Sequence, residues 1–60
     1  MSEEEREVYE ILSETLPKPI SEIMTGVPYG KSKVTEILKR MVNAGVVKIK
    51  GNGRGTKYHL

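Results

Sequence analysis

The sequence predicts a small α+β domain in which three helices are followed by a two-stranded β-hairpin. Three segments repeat their apolar residues at helical spacing, and prolines or glycines separate these segments. After Gly45 the apolar residues alternate with charged ones, which is the spacing of a β-strand. Sixty residues form one domain, 1–60, near the lower size limit for a chain that folds without disulfides or metals.

The first helix is predicted from about Glu3 to Thr15. Ser2 and Glu5 have the spacing of a capping box, and the acids of the first turn favour the positive end of the helix dipole. Pro17 ends the helix because a proline disfavours helical backbone at the residue before it. The apolar face consists of Val8, Ile11, Leu12 and Leu16.

A short second helix is predicted after the prolines. Ile20 is a candidate for a very short strand, and Ser21 is a candidate cap for a helix that holds Ile23 and Met24. Residues 26–28, a glycine, a valine and a proline, are a strong turn signal that ends this helix.

The third helix follows Gly30 and has the longest periodic pattern. Gly45 is expected to end it with a left-handed backbone conformation. Its apolar face consists of Val34, Ile37, Leu38 and Met41. Its outer face consists of Ser32, Thr35, Glu36, Lys39, Arg40 and Asn43, with Lys33 at the flank. The helix is therefore amphipathic, with a mostly basic outer face.

The end of the chain is predicted to be a hairpin with a glycine-rich tip at residues 51–55. Both strands place apolar residues on an inward face and mostly cations on the other. The inward residues are Val47, Ile49, Thr56, Tyr58 and Leu60, and the outward residues are Lys48, Lys50, Lys57 and His59.

Charge divides the chain into two halves. Residues 1–30 hold seven acids and two bases, a net charge of −5, whereas residues 31–60 hold eight bases and one acid, a net charge of +7. An asymmetry of this size indicates a surface for a polyanion, most often a nucleic acid.

Composition excludes several other classes of function. There is no cysteine and only one histidine, so no cofactor or structural metal is expected. No apolar run is long enough for a membrane span and the acidic start is unlike a signal peptide, so a cytoplasmic protein is expected. Residues 26–32 resemble a phosphate-binding P-loop but have three residues between the glycines instead of four. We therefore expect no enzyme.

The order of elements resembles a winged helix-turn-helix domain. Residues 20–47 resemble the helix-turn-helix of small prokaryotic regulators of the MarR-like and ArsR-like kind, and residues 51–60 resemble their wing. The turn at residues 27–30 is about two residues longer than usual. The resemblance implies double-stranded DNA binding by a transcriptional regulator or by the DNA-reading domain of a larger protein. The third helix would enter the major groove, and the wing would contact the minor groove or the backbone.

The first turn of the third helix is the first candidate contact. Lys31 and Lys33 lie where the helix dipole disfavours cations by roughly 0.3–1 kcal/mol each. A bound phosphate would reverse that penalty, and Ser32 would add a neutral hydrogen bond.

Further candidates follow along the same face. Thr35, Lys39 and Arg40 come next, with Lys39 the best of them for the groove. Glu36 has two interpretations: it accepts a hydrogen bond from a cytosine amino group, or it forms ion pairs with Lys33, Lys39 or Arg40.

The wing supplies the remaining candidates. Asn52 and Arg54 lie among the tip glycines, where Arg54 suits a minor groove or a phosphate. Lys48, Lys50 and Lys57 would reach flanking phosphates.

Tyr29, just before the third helix, either anchors the long turn against the core or offers its hydroxyl to a phosphate.

An alternative function is a protein–protein interaction winged helix in a replication or transcription assembly. We expect a monomer or a weak homodimer, with Tyr9 and Leu16 of the first helix as its one candidate surface. Met1 indicates a true N-terminus, and the end after the wing fits either a whole chain or part of a larger protein.

Overall fold

The structure, a computed structural model, describes residues 1–51 and 55–60 and confirms the predicted fold class and order of elements. The helices are α1 (Glu3–Ile11), α2 (Ile20–Met24) and α3 (Lys31–Asn43), and the strands are β1 (Lys48–Lys50) and β2 (Lys57–His59). The two strands pair antiparallel with Ile49 opposite Tyr58, so they form the predicted hairpin.

Helix α1 ends at Ile11, earlier than the predicted Thr15. The Ser13 hydroxyl accepts hydrogen bonds from the backbone N–H groups of Thr15 (3.2 Å) and Leu16 (3.3 Å), and the Ser13 carbonyl accepts one from Leu60 (3.0 Å). These bonds compete with helical ones, since a serine side chain offers the backbone an alternative turn. Leu16, predicted on the apolar face, is consequently 63% exposed.

The segment before α2 is tied to the hairpin by Lys18. Its backbone exchanges hydrogen bonds of 2.9 and 2.8 Å with Tyr58, in an isolated antiparallel bridge. Ile20, the predicted strand residue, instead begins α2. Pro19 takes the N-cap position with an extended backbone, and Ser21, the predicted cap, lies inside the helix. Because the residue before a proline favours extended backbone, the bridge forms at Lys18, which precedes Pro19, and not at Ile20.

The core lies beneath α3. All four apolar residues predicted for its inner face are buried, and they are half of the buried apolar residues in the described part of the chain. The other four come from α1, its C-cap, α2 and the residue before β1: Val8, Leu12, Ile23 and Val47. Helix α3 therefore depends on packing from α1, α2 and the segment that leads into β1.

The end of α3 has the predicted left-handed glycine. Gly45 has φ +78°, its N–H donates to the Val42 carbonyl (3.0 Å), and the Val46 N–H donates to the Met41 carbonyl (3.0 Å). These two bonds form a Schellman motif, which satisfies the last carbonyls of α3 and directs the chain into β1. None of the helices in residues 1–51 and 55–60 is long and apolar enough to cross a membrane.

Candidate nucleic-acid interface

The N-terminus of α3 is open to solvent and has no side-chain cap. Gly30 occupies the N-cap position with an extended backbone, and the first turn contains no acid. The earliest N–H within α3 that bonds to the cap carbonyl is that of Val34 (3.0 Å). The three N–H groups before it have no helical partner, so this end of α3 can donate hydrogen bonds to an anion.

The outer face of α3 is exposed as predicted, but its cations divide into two groups. Lys33 Nζ lies 3.1 Å from one carboxylate oxygen of Glu4, and Arg40 Nη2 lies 3.7 Å from the other. Lys31 and Lys39 are exposed, and neither forms an ion pair with a described residue. The acidic half of the chain therefore neutralises one flank of α3 and leaves the other flank charged.

The ion pairs predicted for Glu36 do not form with any described residue. Glu36 is exposed, and the acid that contacts Lys33 and Arg40 is Glu4 of α1. Sequence spacing finds partners only within one helix, whereas this contact depends on how α1 packs against α3.

Tyr29 fixes the long turn to α1. Its ring packs against the core, which is the predicted anchoring role, and its hydroxyl donates a 2.5 Å hydrogen bond to Glu7 Oε2. This bond to a carboxylate favours the protonated phenol and raises the pKa of Tyr29 to about 12. The hydroxyl is thus bonded to Glu7 and not left for a phosphate.

The hairpin has a cationic face. Lys48, Lys50 and Lys57 are exposed, and Lys50 lies directly opposite Lys57 in the strand register. Like charges in that position destabilise a sheet, so the pair opposes stability in the free protein. His59 is half-buried, with Nδ1 2.9 Å from the Leu60 carbonyl.

The opposite face of the hairpin turns toward α3 and leaves a groove that sequence reasoning missed. Ile49 was expected to be buried with Val47, but it is 50% exposed, whereas Val47 is buried. The space between the two elements is about 240 Å³. We call it the α3–hairpin groove, and it is lined by Thr35, Lys39, Val42, Asn43, Ile49 and Tyr58. Strand alternation places Ile49 and Tyr58 on one face, but it does not show that this face stands away from α3.

Comparison with known proteins assigns the chain to a family. Residues 1–60 match the family model described as "Sugar-specific transcriptional regulator TrmB". The chain belongs to the TrmB family. No curated protein and no solved structure gives a significant match. The TrmB match supports the predicted winged helix-turn-helix regulator, but not specifically the MarR-like or ArsR-like kind.

This TrmB-family chain is thus a DNA-binding domain of a transcriptional regulator, a class of protein distinct from enzymes. Of the twelve DNA contacts predicted from sequence, the structure describes ten; Asn52 and Arg54 at the wing tip lie outside the described residues. Seven of the ten lie on α3 and three, Lys48, Lys50 and Lys57, on the hairpin.

Proposed function

We propose that the domain binds double-stranded DNA with α3 in the major groove and with the wing on the minor groove or the backbone. The observation that carries the proposal is the set of exposed lysines on α3 and the hairpin that have no carboxylate partner among the described residues: Lys31, Lys39, Lys48, Lys50 and Lys57. A polyanion would neutralise these charges, and a major groove about 12 Å wide admits one helix.

The open end of α3 is proposed as the first phosphate site. Lys31 supplies a charge, Ser32 a hydroxyl, and the first turn its unpaired N–H groups. Lys33 lies in the same turn but forms an ion pair with Glu4, and this ion pair must break before Lys33 can contact a phosphate.

The hairpin is proposed as the second phosphate site. Lys50 and Lys57 face each other across the strands, and a phosphate between them would replace their repulsion with two attractive contacts. On sequence grounds alone, Arg54 extends this surface toward the minor groove.

Fluorescence anisotropy with a random-sequence duplex tests the proposal across about 50 to 200 mM salt. Affinity should fall steeply with salt, with a slope near −0.9 per phosphate neutralised. Lys31→Ala and Arg54→Ala should each weaken binding and reduce the slope by about 0.9. Arg6→Ala is the matched control because it removes the same charge from the exposed surface of α1.

An absence of binding at the lowest salt would overturn the proposal and favour the protein–protein interaction alternative.

The family is described as sugar-specific, and we propose that the transcriptional regulation in which this domain takes part is also sugar-specific. A cytoplasmic location and a monomeric or weakly dimeric state stay predictions. For the dimer surface, Tyr9 is 40% exposed on α1, whereas Leu16 lies beyond the end of that helix.

A further inference from the structure

We propose that the α3–hairpin groove recognises the C5-methyl group of thymine in the major groove. The inference rests on the proposed placement of α3 and adds a base preference to it. Its starting point is Ile49, whose side chain is half-exposed in a strand that otherwise carries lysines.

Half of the groove's lining residues are apolar or aromatic although the groove adjoins a charged helix face. Val42 of α3 and Ile49 of the hairpin both line it, beside the ring of Tyr58. Thr35 also lines the groove, and its hydroxyl already donates a 2.8 Å hydrogen bond to the Lys31 carbonyl. Because the hydroxyl proton of Thr35 is already in this hydrogen bond, its methyl group is the part of the side chain best suited to a new apolar contact.

The polar residues of the groove's lining fit a duplex better than an apolar protein partner. Lys39 and Asn43 line it and belong to the outer face of α3 proposed for the major groove. The lysine complements the phosphates beside a base edge. The asparagine can hydrogen-bond a base.

Thymine is the base that fits apolar lining residues in that position. Its C5-methyl group projects into the major groove, where it is read by apolar contacts, while cytosine and uracil have only hydrogen at that carbon. The groove, at about 240 Å³, has room for a methyl group and the edge of its ring.

Two pairs of duplexes isolate the methyl group. The first pair is an alternating dA·dT duplex and the same duplex with every thymine replaced by uracil, and the second is an alternating dG·dC duplex with cytosine or with 5-methylcytosine. Within each pair the backbone charge is unchanged. Anisotropy titrations should show about fourfold tighter binding to the methylated member for each methyl group buried.

Substitutions locate the preference in the groove. Ile49→Ala and Val42→Ala should each move the affinity ratio within a pair toward one, and melting curves verify that each variant folds. Leu16→Ala is the matched control, since Leu16 is an exposed apolar side chain that does not line this groove. It should keep the wild-type ratio.

The outcomes separate this inference from the proposed function. Salt-dependent binding with a ratio of one in both pairs would overturn thymine recognition and leave DNA binding intact. A ratio that Ile49→Ala and Val42→Ala leave unchanged would overturn the groove as its source. Loss of binding to all four duplexes would overturn the proposed function itself.

Discussion

The two long helices begin in opposite ways. At the start of α1 the Ser2 hydroxyl accepts from the Glu5 N–H (3.2 Å), while the Glu5 carboxylate accepts from the Ser2 N–H (2.9 Å). At the start of α3 the N-cap is Gly30, without a side-chain hydrogen bond, and Lys31 and Lys33 replace the acids. Thus α1 satisfies its own N-terminus, whereas the N-terminus of α3 stays open, where a phosphate is proposed to bind.

The difference shows that the two helices are stabilised by different interactions. Capping and favourable charge stabilise α1 locally, where only Val8 is fully buried. Helix α3 lacks both contributions at its N-terminus and has four buried residues, so tertiary packing holds it in place. Its polar surface, which is proposed to bind DNA, is therefore not needed to stabilise the helix.

The largest expected effect comes from Leu38→Ala. Leu38 is 1% exposed beneath the middle of α3, and its truncation should lower the free energy of unfolding by roughly 2–5 kcal/mol. For a domain of this size that loss should unfold much of the population in thermal melts followed by circular dichroism. Leu16→Ala, at an exposed leucine, is the control and should change stability by no more than about 0.5 kcal/mol. A cooperative wild-type-like melt of Leu38→Ala would contradict the dependence of α3 on this core.

Ser2→Ala tests the local stabilisation of α1. It removes the hydroxyl that caps the helix and should cost about 1 kcal/mol of unfolding free energy in urea titrations. An unchanged midpoint would show that the capping box contributes nothing measurable and would weaken the contrast between the helices.

Gly30→Ser is the counterpart at α3 and should act in the opposite direction. A Cβ at Gly30 meets no atom within 4 Å, and its φ of −78° suits any residue. A serine there can cap α3 and reduces the entropy of the unfolded chain, so stability should rise by roughly 0.5–1 kcal/mol. DNA affinity should not rise with it, because the new hydroxyl competes for N–H groups proposed to bind phosphate. Stronger binding by this variant would contradict that role.

Glu4→Gln sharpens the comparison by releasing the cations that α1 holds. Without the carboxylate, Lys33 and Arg40 are free to contact phosphate, and duplex affinity should rise about twofold to threefold, with a steeper salt slope. Stability should fall by less than about 1 kcal/mol, since these ion pairs are solvent-exposed. Glu10→Gln makes the same charge change elsewhere on α1, at an exposed acid. Equal gains from both variants would show an effect of net charge alone.

The sequence predicted α3 better than the elements around it. Its apolar face and terminal glycine follow from local patterns, and the structure confirms both. The early end of α1 depends on hydrogen bonds of Ser13, one of them to Leu60 at the other end of the chain. A pattern read over a few residues cannot include such a contact.

The same limit applies to the candidate interface. Its cations could be named from sequence, because lysines at a helix start break a local rule and strand alternation places the hairpin lysines on its exterior. Two relations could not be predicted: the contact of Glu4 with α3, and the separation of Ile49 from α3 that forms the groove. Each depends on the distance between two elements, which spacing along the chain does not give.

The smallest expected effect is a dependence of stability on pH that arises at the start of α1. A hydrogen bond from the Ser2 backbone N–H and, to a smaller extent, one with the Ser2 hydroxyl lower the pKa of Glu5 below its ordinary value of 4.5. A lowered folded-state pKa gives stability that is present above about pH 4.5 and lost as pH falls through the folded value. Glu5→Gln keeps a side chain able to accept the bond but cannot titrate, so urea midpoints between about pH 5 and pH 3 should fall less than in wild type. Ser2→Ala, which retains the backbone donor, should keep most of the wild-type pH dependence. Helix α3 has no acid in its first turn and adds nothing equivalent. An unaltered pH profile in Glu5→Gln would show that the capping box does not distinguish the two helices in this way.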